Sequence, residues 1–294
     1  MFFLLQLTSR KRVKHTPTSS RKSKARIENA VSYLILTVAT IAALFPVVWM
    51  ISMSFKTRID IFTMPPPLFF NPTLNNYFVA FIEKNFTKYL INSLVVVAGS
   101  TIIAVSLGSL AAYSFSRFKM WADKHILFDI LTFRMAPLIV FIIPFYMIWT
   151  NLGMYDTHIG LIIAHAAFNM PLVVWLMLSF FDGLPRDIEE AAMVDGCSRL
   201  ATLFRIVFPL VAPGLAASAV ICIIFSWNEF FFAMVLTSVY AKTLPAAITG
   251  FVTTRGTLWG EMTAVATVII LPVLAFAIIV QKYLVRGLTF GAVK

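Results

Sequence analysis

The chain has 294 residues, of which 60% are hydrophobic and only 13% charged, against roughly 45–50% apolar content in a soluble domain, so a water-soluble fold is set aside and a membrane protein is expected. Much of the formal net charge of +11 comes from Arg10, Lys11, Arg12, Lys14, Arg21, Lys22, Lys24 and Arg26, without interleaved stacking aromatics, which points to membrane topology and away from nucleic acid. Cys197 and Cys222 are the two cysteines, too few and too dispersed for a disulfide framework or a thiolate metal site.

In chain order, residues 1–29 read as a basic, Ser/Thr-rich tail, disordered where the charges cluster. The apolar run that follows lacks a cleavage site for a secretory signal and stays as a helix. Six spans are expected near 31–55, 90–115, 126–149, 159–181, 213–236 and 263–285, each about the 20 residues a bilayer needs. Residues 30–285 thus form an all-α polytopic membrane domain, followed by a short tail over 286–294. An even number of spans puts both termini on one side. The basic tail, with Arg117, Lys119, Lys124, Arg186, Arg199, Arg205, Lys282, Arg286 and Lys294, makes that side the cytoplasmic one. Trp49 and Trp149 then fall near the outer interface and Trp121 near the inner one.

Pro46, Pro137, Pro144, Pro171, Pro213 and Pro272 interrupt or open five of these spans, so the helices should be bent, with their freed carbonyls satisfied by neighbours. Ser100, Ala104, Gly108 and Ala112 recur every four residues along the second span, a small-residue stripe for close helix packing. No internal repeat is visible, which speaks against a repeat-built carrier.

The loop over 183–209 is too polar to span and too patterned to be slack. Pro185 can open a helix whose first turns carry Asp187, Glu189 and Glu190, acids that suit the helix dipole. Ile188, Ala191 and Ala192 are expected to share one face. Gly196 stands where that helix must stop and can take the left-handed conformation that costs other residues about 1–2 kcal/mol. Ser198 can cap a second helix running through Arg205, and Pro209 should mark the return into the bilayer. A helix-turn-helix between spans four and five is expected.

Glu190-Ala191-Ala192, three residues, Gly196, nine residues, Ile206 and then Pro209 resemble the EAA motif of binding-protein-dependent ABC importer permeases. The pattern departs only at Phe208, where leucine usually precedes the proline. Ala111-Ala112-Tyr113, Trp227-Asn228-Glu229-Phe230 and the ending Val285-Arg286-Gly287-Leu288-Thr289-Phe290 extend the resemblance toward the six-helix member of maltose-type permease pairs. It implies that Glu190, Ala191, Ala192, Asp195, Gly196, Ile206 and Pro209 form the joint with an ATPase. The resemblance further implies a sister permease, two ATPase subunits and an extracytoplasmic solute-binding protein delivering a sugar or polyol to segments 56–88 and 236–261. This chain should bind no cofactor itself, with ATP and Mg carried by the ATPase, since no Gly-rich loop ending in Gly-Lys-Ser/Thr occurs.

Arg134 lies within the third span, where a charge costs at least ~2.5–3.5 kcal/mol, and is expected to face protein or a water-filled path, bonding to carbonyls freed near Pro137 or to another chain in a structural role, or else to solute. Asp129 is five residues away, on the opposite side of a helix, and so an unsuitable partner. Asn169, Asn228 and Glu229 are candidates for a pathway serving hydroxyl-rich solutes, with Trp227 for stacking on a sugar face; packing between helices is the duller account of each. His15, His125, His158 and His165 have no metal-ligand spacing, and no catalytic constellation is recognised. The rival reading is a stand-alone secondary transporter or channel with Arg134, Asp129 and Glu229 as its ion-coupling charges.

Overall fold

In a membrane every backbone donor and acceptor must be satisfied within the segment, so long apolar runs become helices; of the expected interruptions, Pro46, Pro144, Pro171 and Pro272 lie inside helices, their freed carbonyls left to neighbours. The computed structural model describes residues 19–118 and 123–290, with side chains over 29–118, 125–275 and at 278. The expected tail through residue 18, Lys119, Trp121 and residues 291–294 lie outside the described residues. Contacts divide the chain into a unit of residues 1–49 and a unit of residues 50–294.

The described part of the first unit belongs to α1 (Ser19–Ser54). This helix begins inside the segment expected to be disordered, because residues added to an existing helix gain one bond each without a new nucleus. Thr37 and Thr40 donate to carbonyls four residues back, each at 2.7 Å, so their hydroxyls need no partner outside the helix. Phe45 and Trp49 stack at 5.8 Å.

The second unit is also helical, with α2 (Arg58–Phe62), α3 (Asn75–Phe78), α4 (Phe86–Arg117), α5 (Asp123–Met135), α6 (Leu138–Asn151), α7 (His158–Asp182), α8 (Asp187–Val194), α9 (Arg199–Thr202), α10 (Phe208–Leu210), α11 (Ala212–Trp227), α12 (Phe231–Leu236), α13 (Leu244–Ala247) and α14 (Trp259–Phe290). One small antiparallel pair, β1 (Val252–Thr253) with β2 (Gly256–Thr257), precedes α14. Among the described residues three helices are long and apolar enough to cross a membrane, within α1, α4 and α7. The number rises to five if each of two bent pairs counts as one span.

Those bent pairs are where the structure departs from six simple spans. At Pro137 the expected third span breaks by 95° into α5 and α6, since proline offers no N–H and crowds the turn before it. The expected fifth span ends at Trp227, and the chain resumes as α12 after an interruption at Asn228–Phe230. Its entry bends by 76° between Leu210 and Ala212, two residues after Pro209. Pro209 itself lies inside helix because a π-helical turn over Leu203–Val207, closed by the Phe208 N–H on the Leu203 carbonyl, widens the backbone where the proline cannot donate.

α4 and α7 form the spine of this unit. Ser100, Ala104, Gly108 and Ala112 are all buried, as the stripe requires. A Cβ on Gly108 would lie 2.8 Å from Val173 Cβ, so α7 approaches at a distance that only glycine permits. Ala104, Ala112, Val173, Met177, Phe181, Leu203, Val207 and Cys222 pack one core around this contact. A second core joins α4, α6, α7 and α12, with Trp149 inside it against Phe145 at 4.8 Å. Trp149 is therefore core rather than an interfacial anchor, because α6 turns this face inward after the bend.

Candidate functional site

The helix-turn-helix at one end of the unit has the expected geometry. Asp187, Glu189 and Glu190 lie in the first turn of α8. At its end the Gly196 N–H donates to the Met193 carbonyl at 3.1 Å and the Cys197 N–H to the Ala192 carbonyl at 3.0 Å, the paired bonds of a Schellman stop. Gly196 has φ +89°. Ser198 accepts from the Ala201 N–H at 3.3 Å and so caps α9.

Helical phase corrects the expected face. Glu189 and Ala192 are the buried pair of α8, while Glu190, Ala191, Asp195 and Gly196 are exposed, so Ala191 and Ala192 do not share one face. Ile206 is half-buried and Pro209 exposed.

The residue missed by sequence reasoning is Glu189 in a pairing role. Its carboxylate receives Arg117 Nε at 2.6 Å and the Tyr113 hydroxyl at 2.7 Å. Arg117 also donates to the Leu184 carbonyl at 3.0 Å and to Ser116 Oγ at 2.9 Å. Ser116 donates to Asp182 at 2.5 Å, and Arg186 to the Ser116 carbonyl at 2.9 Å. The network fastens α8 to the end of α4.

A second polar site opens where α11 breaks. Arg134, His165, Asn169, Ser226, Asn228 and Glu229 line a cavity of 220 Å³. Four of the five expected pathway residues are thus brought together. Trp227 is not among them: it is buried and its Nε1 donates to the Ile269 carbonyl at 2.9 Å, because the last turn of α11 points it at α14. Arg134 does not bond to carbonyls near Pro137. Its guanidinium lies 5.1 Å from the Phe168 ring centre and 4.7 Å from that of Phe225, where ring quadrupoles attract a cation. Asn169 Nδ2 donates to Ser226 Oγ at 2.8 Å, which also lies 3.0 Å from Ser100 Oγ. The Glu229 carboxylate accepts from the N–H groups of Phe232 at 2.8 Å and Ala233 at 3.2 Å, capping α12. His165 Nε2 comes within 3.2 Å of Glu229 Oε2, but among the described residues neither ring nitrogen makes a hydrogen bond.

At the end of the unit away from α8, the expected solute-delivery segments meet. Thr57, Arg58, Asn75, Asn76, Trp259 and Glu261 line a 500 Å³ hollow, and Lys84 lies 3.8 Å from Glu261. Asn92 donates to the carbonyls of Tyr240 at 2.8 Å and Lys242 at 2.9 Å. Asp156, at φ +55°, accepts from the N–H groups of Ser238, Val239, Tyr240 and Ala241 at 3.0–3.1 Å. Burial pushes this carboxyl up, but the four N–H donors outweigh burial and hold it below its usual range. Because the folded value is the lower one, the stabilisation is present above the unfolded value near pH 4 and is lost as pH falls through the folded one. Asp156→Ala is expected to cost about 1–3 kcal/mol locally, read as faster amide exchange over 238–241. Wild-type protection there, corrected for the intrinsic pH dependence of amide exchange, should fall only in acid; pH-independent protection would remove the carboxylate from the explanation.

A family model described as "Binding-protein-dependent transport system inner membrane component" matches residues 104–290. A probable ABC transporter permease protein, y4oR, of Sinorhizobium fredii is 40% identical over 251 residues, covering 85% of this chain and 90% of that one. The trehalose/maltose transport system permease protein MalG of Thermococcus litoralis is 36% identical over 258 residues, covering 86% and 92%. Among solved structures, a bacterial ABC transporter involved in the import of the acidic polysaccharide alginate superposes with a TM-score of 0.74 at 26% identity, covering 91% of this chain and 99% of that one.

Proposed function

The chain belongs to the inner membrane component family of binding-protein-dependent transport systems, and from that premise we propose how it serves as the permease subunit of an ATP-driven sugar importer. It is a multi-pass, mostly helical membrane protein. In our reading the bent pairs and α14 bring the spans to six, residues 30–285 form the membrane domain, and both termini lie in the cytoplasm. The helix-turn-helix over 183–209 then faces the cytoplasm and receives an ATPase subunit, which binds ATP and Mg in place of this non-catalytic chain. A sister permease completes the pathway, with one ATPase beneath each permease. The solute-binding protein docks at the opposite end, on the hollow between the segment after α1 and the turn before α14.

The observation that carries this reading is the exposed stretch Glu190, Ala191, Asp195 and Gly196, presented on a loop whose other face is fastened to α4 through Glu189 and Arg117. A slack interfacial helix needs no such anchor. Ion coupling by a stand-alone carrier loses support because backbone N–H groups engage the Glu229 carboxylate.

The complex made from this gene with its genomic neighbours should co-purify with a nucleotide-hydrolysing subunit, and in proteoliposomes its ATP hydrolysis should rise with the loaded binding protein. Uptake by the chain alone in ATP-free vesicles would overturn the proposal.

A further inference from the structure

Resting on the importer reading, we propose that the cavity at the α11 break is a subsite for a carbohydrate bearing an anionic group, with Arg134 taking the anion. Arg134 carries a fixed charge and five N–H donors in one plane. Among the described residues it makes no hydrogen bond or ion pair, only the ring contacts with Phe168 and Phe225. Neither ring supplies an oxygen or nitrogen acceptor, so the contacts leave the guanidinium's N–H donors without a conventional hydrogen bond. Within a span, such donors call for an acceptor.

Glu229 does not supply it. Although Glu229 lines the same cavity, its oxygens serve the N–H groups of Phe232 and Ala233, and it forms no ion pair with Arg134. The cavity therefore holds a guanidinium with no ion pair of its own, beside a carboxylate whose oxygens are turned to backbone N–H groups.

The cavity's other polar groups suit a polyol. His165 is 2% exposed, and although its Nε2 lies 3.2 Å from Glu229 Oε2, among the described residues neither ring nitrogen makes a hydrogen bond. Both can therefore bond a group that enters, as buried donors and acceptors without partners are costly. Asn169, one turn further along α7, donates to Ser226 and keeps its carbonyl oxygen as an acceptor. A neutral sugar would satisfy His165 and Asn169 but leave the guanidinium unmatched, whereas a carboxylate accepts two of its donors in parallel. At 220 Å³ the cavity has room for roughly seven waters, enough for a small polar solute and too little for a helix. The other conceivable acceptor is a carboxylate of a neighbouring permease, and the test must separate the two.

The full complex, purified without the solute-binding protein, would be titrated with glucuronate and with glucose. Wild type should bind glucuronate at least ten times more tightly than glucose. Arg134→Gln should level the two sugars, Arg134→Lys should keep part of the preference, and His165→Phe should weaken both alike. Equal binding by wild type, or a preference that survives Arg134→Gln, overturns the subsite. Loss of the sister permease from the Arg134→Gln complex also overturns it, by assigning Arg134 to an inter-subunit pair. A complex that contains no ATPase defeats the importer reading itself, whereas an intact, ATP-hydrolysing complex that treats both sugars alike defeats only this proposal.

Discussion

Arg117→Ala is expected to destabilise the protein by about 3–5 kcal/mol, because it leaves a buried carboxylate without its cation. Glu189 would then keep only the Tyr113 hydroxyl, 2.7 Å away. The reciprocal change should be milder. In Glu189→Ala the guanidinium still meets the Leu184 carbonyl and Ser116 Oγ, so its donors are only partly orphaned. Tyr113→Phe removes one hydrogen bond to a charged group, worth about 1.5–3 kcal/mol. The order Arg117→Ala, then Tyr113→Phe and Glu189→Ala is read from thermal melting of the detergent-solubilised complex. A double replacement, Arg117→Met with Glu189→Leu, should recover most of the lost stability, as apolar substitutes for buried pairs commonly do. Should Glu189→Ala melt lower than Arg117→Ala, the desolvated carboxylate is not what dominates this joint.

That network also marks where reading the sequence stops. Some stops and bends were legible because single residues favour them: a bend falls at Pro137 and Gly196 adopts its positive φ for lack of a Cβ, although Pro46, Pro144, Pro171 and Pro272 lie inside helices. The stripe of Ser100, Ala104, Gly108 and Ala112 was legible because its spacing is that of a helix face. Pairing was not. Glu189 reads as one of three acids at a helix start, and nothing local ties it to Arg117, 72 residues earlier. Helical phase failed for the same reason: Ala191 and Ala192 are equally small, and only the packing of α8 on α9 and the π-helical turn buries one of them. Trp227 follows the same logic, since the carbonyl it bonds belongs to Ile269. Its Asn-Glu neighbours proved to be a helix break that lines a cavity rather than a continuous part of the span expected over 213–236. The family resemblance supplied the motor and the partners, which no local rule contains.

Gly196→Val is expected to lower uptake about 5–30-fold while leaving membrane insertion intact. A Cβ at Gly196 would meet nothing within 4 Å, so the penalty is conformational and not steric crowding. A left-handed residue other than glycine costs about 1–2 kcal/mol, a β-branched one being the least tolerant, and that energy corresponds to the stated factor in the population of the native turn. Leaving the left-handed region would break the Schellman bonds from Gly196 and Cys197 and swing α8 against α9. The fastening at Glu189 lies at the other end of α8 and should hold, so the exposed face would be misdirected rather than lost. Asparagine tolerates this conformation better than other side chains. Gly196→Asn should therefore retain much of the uptake that Gly196→Val loses, with similar amounts of each variant in the membrane. Equal uptake by the two variants, high or low, would mean that the left-handed turn is not what aims this surface at the ATPase.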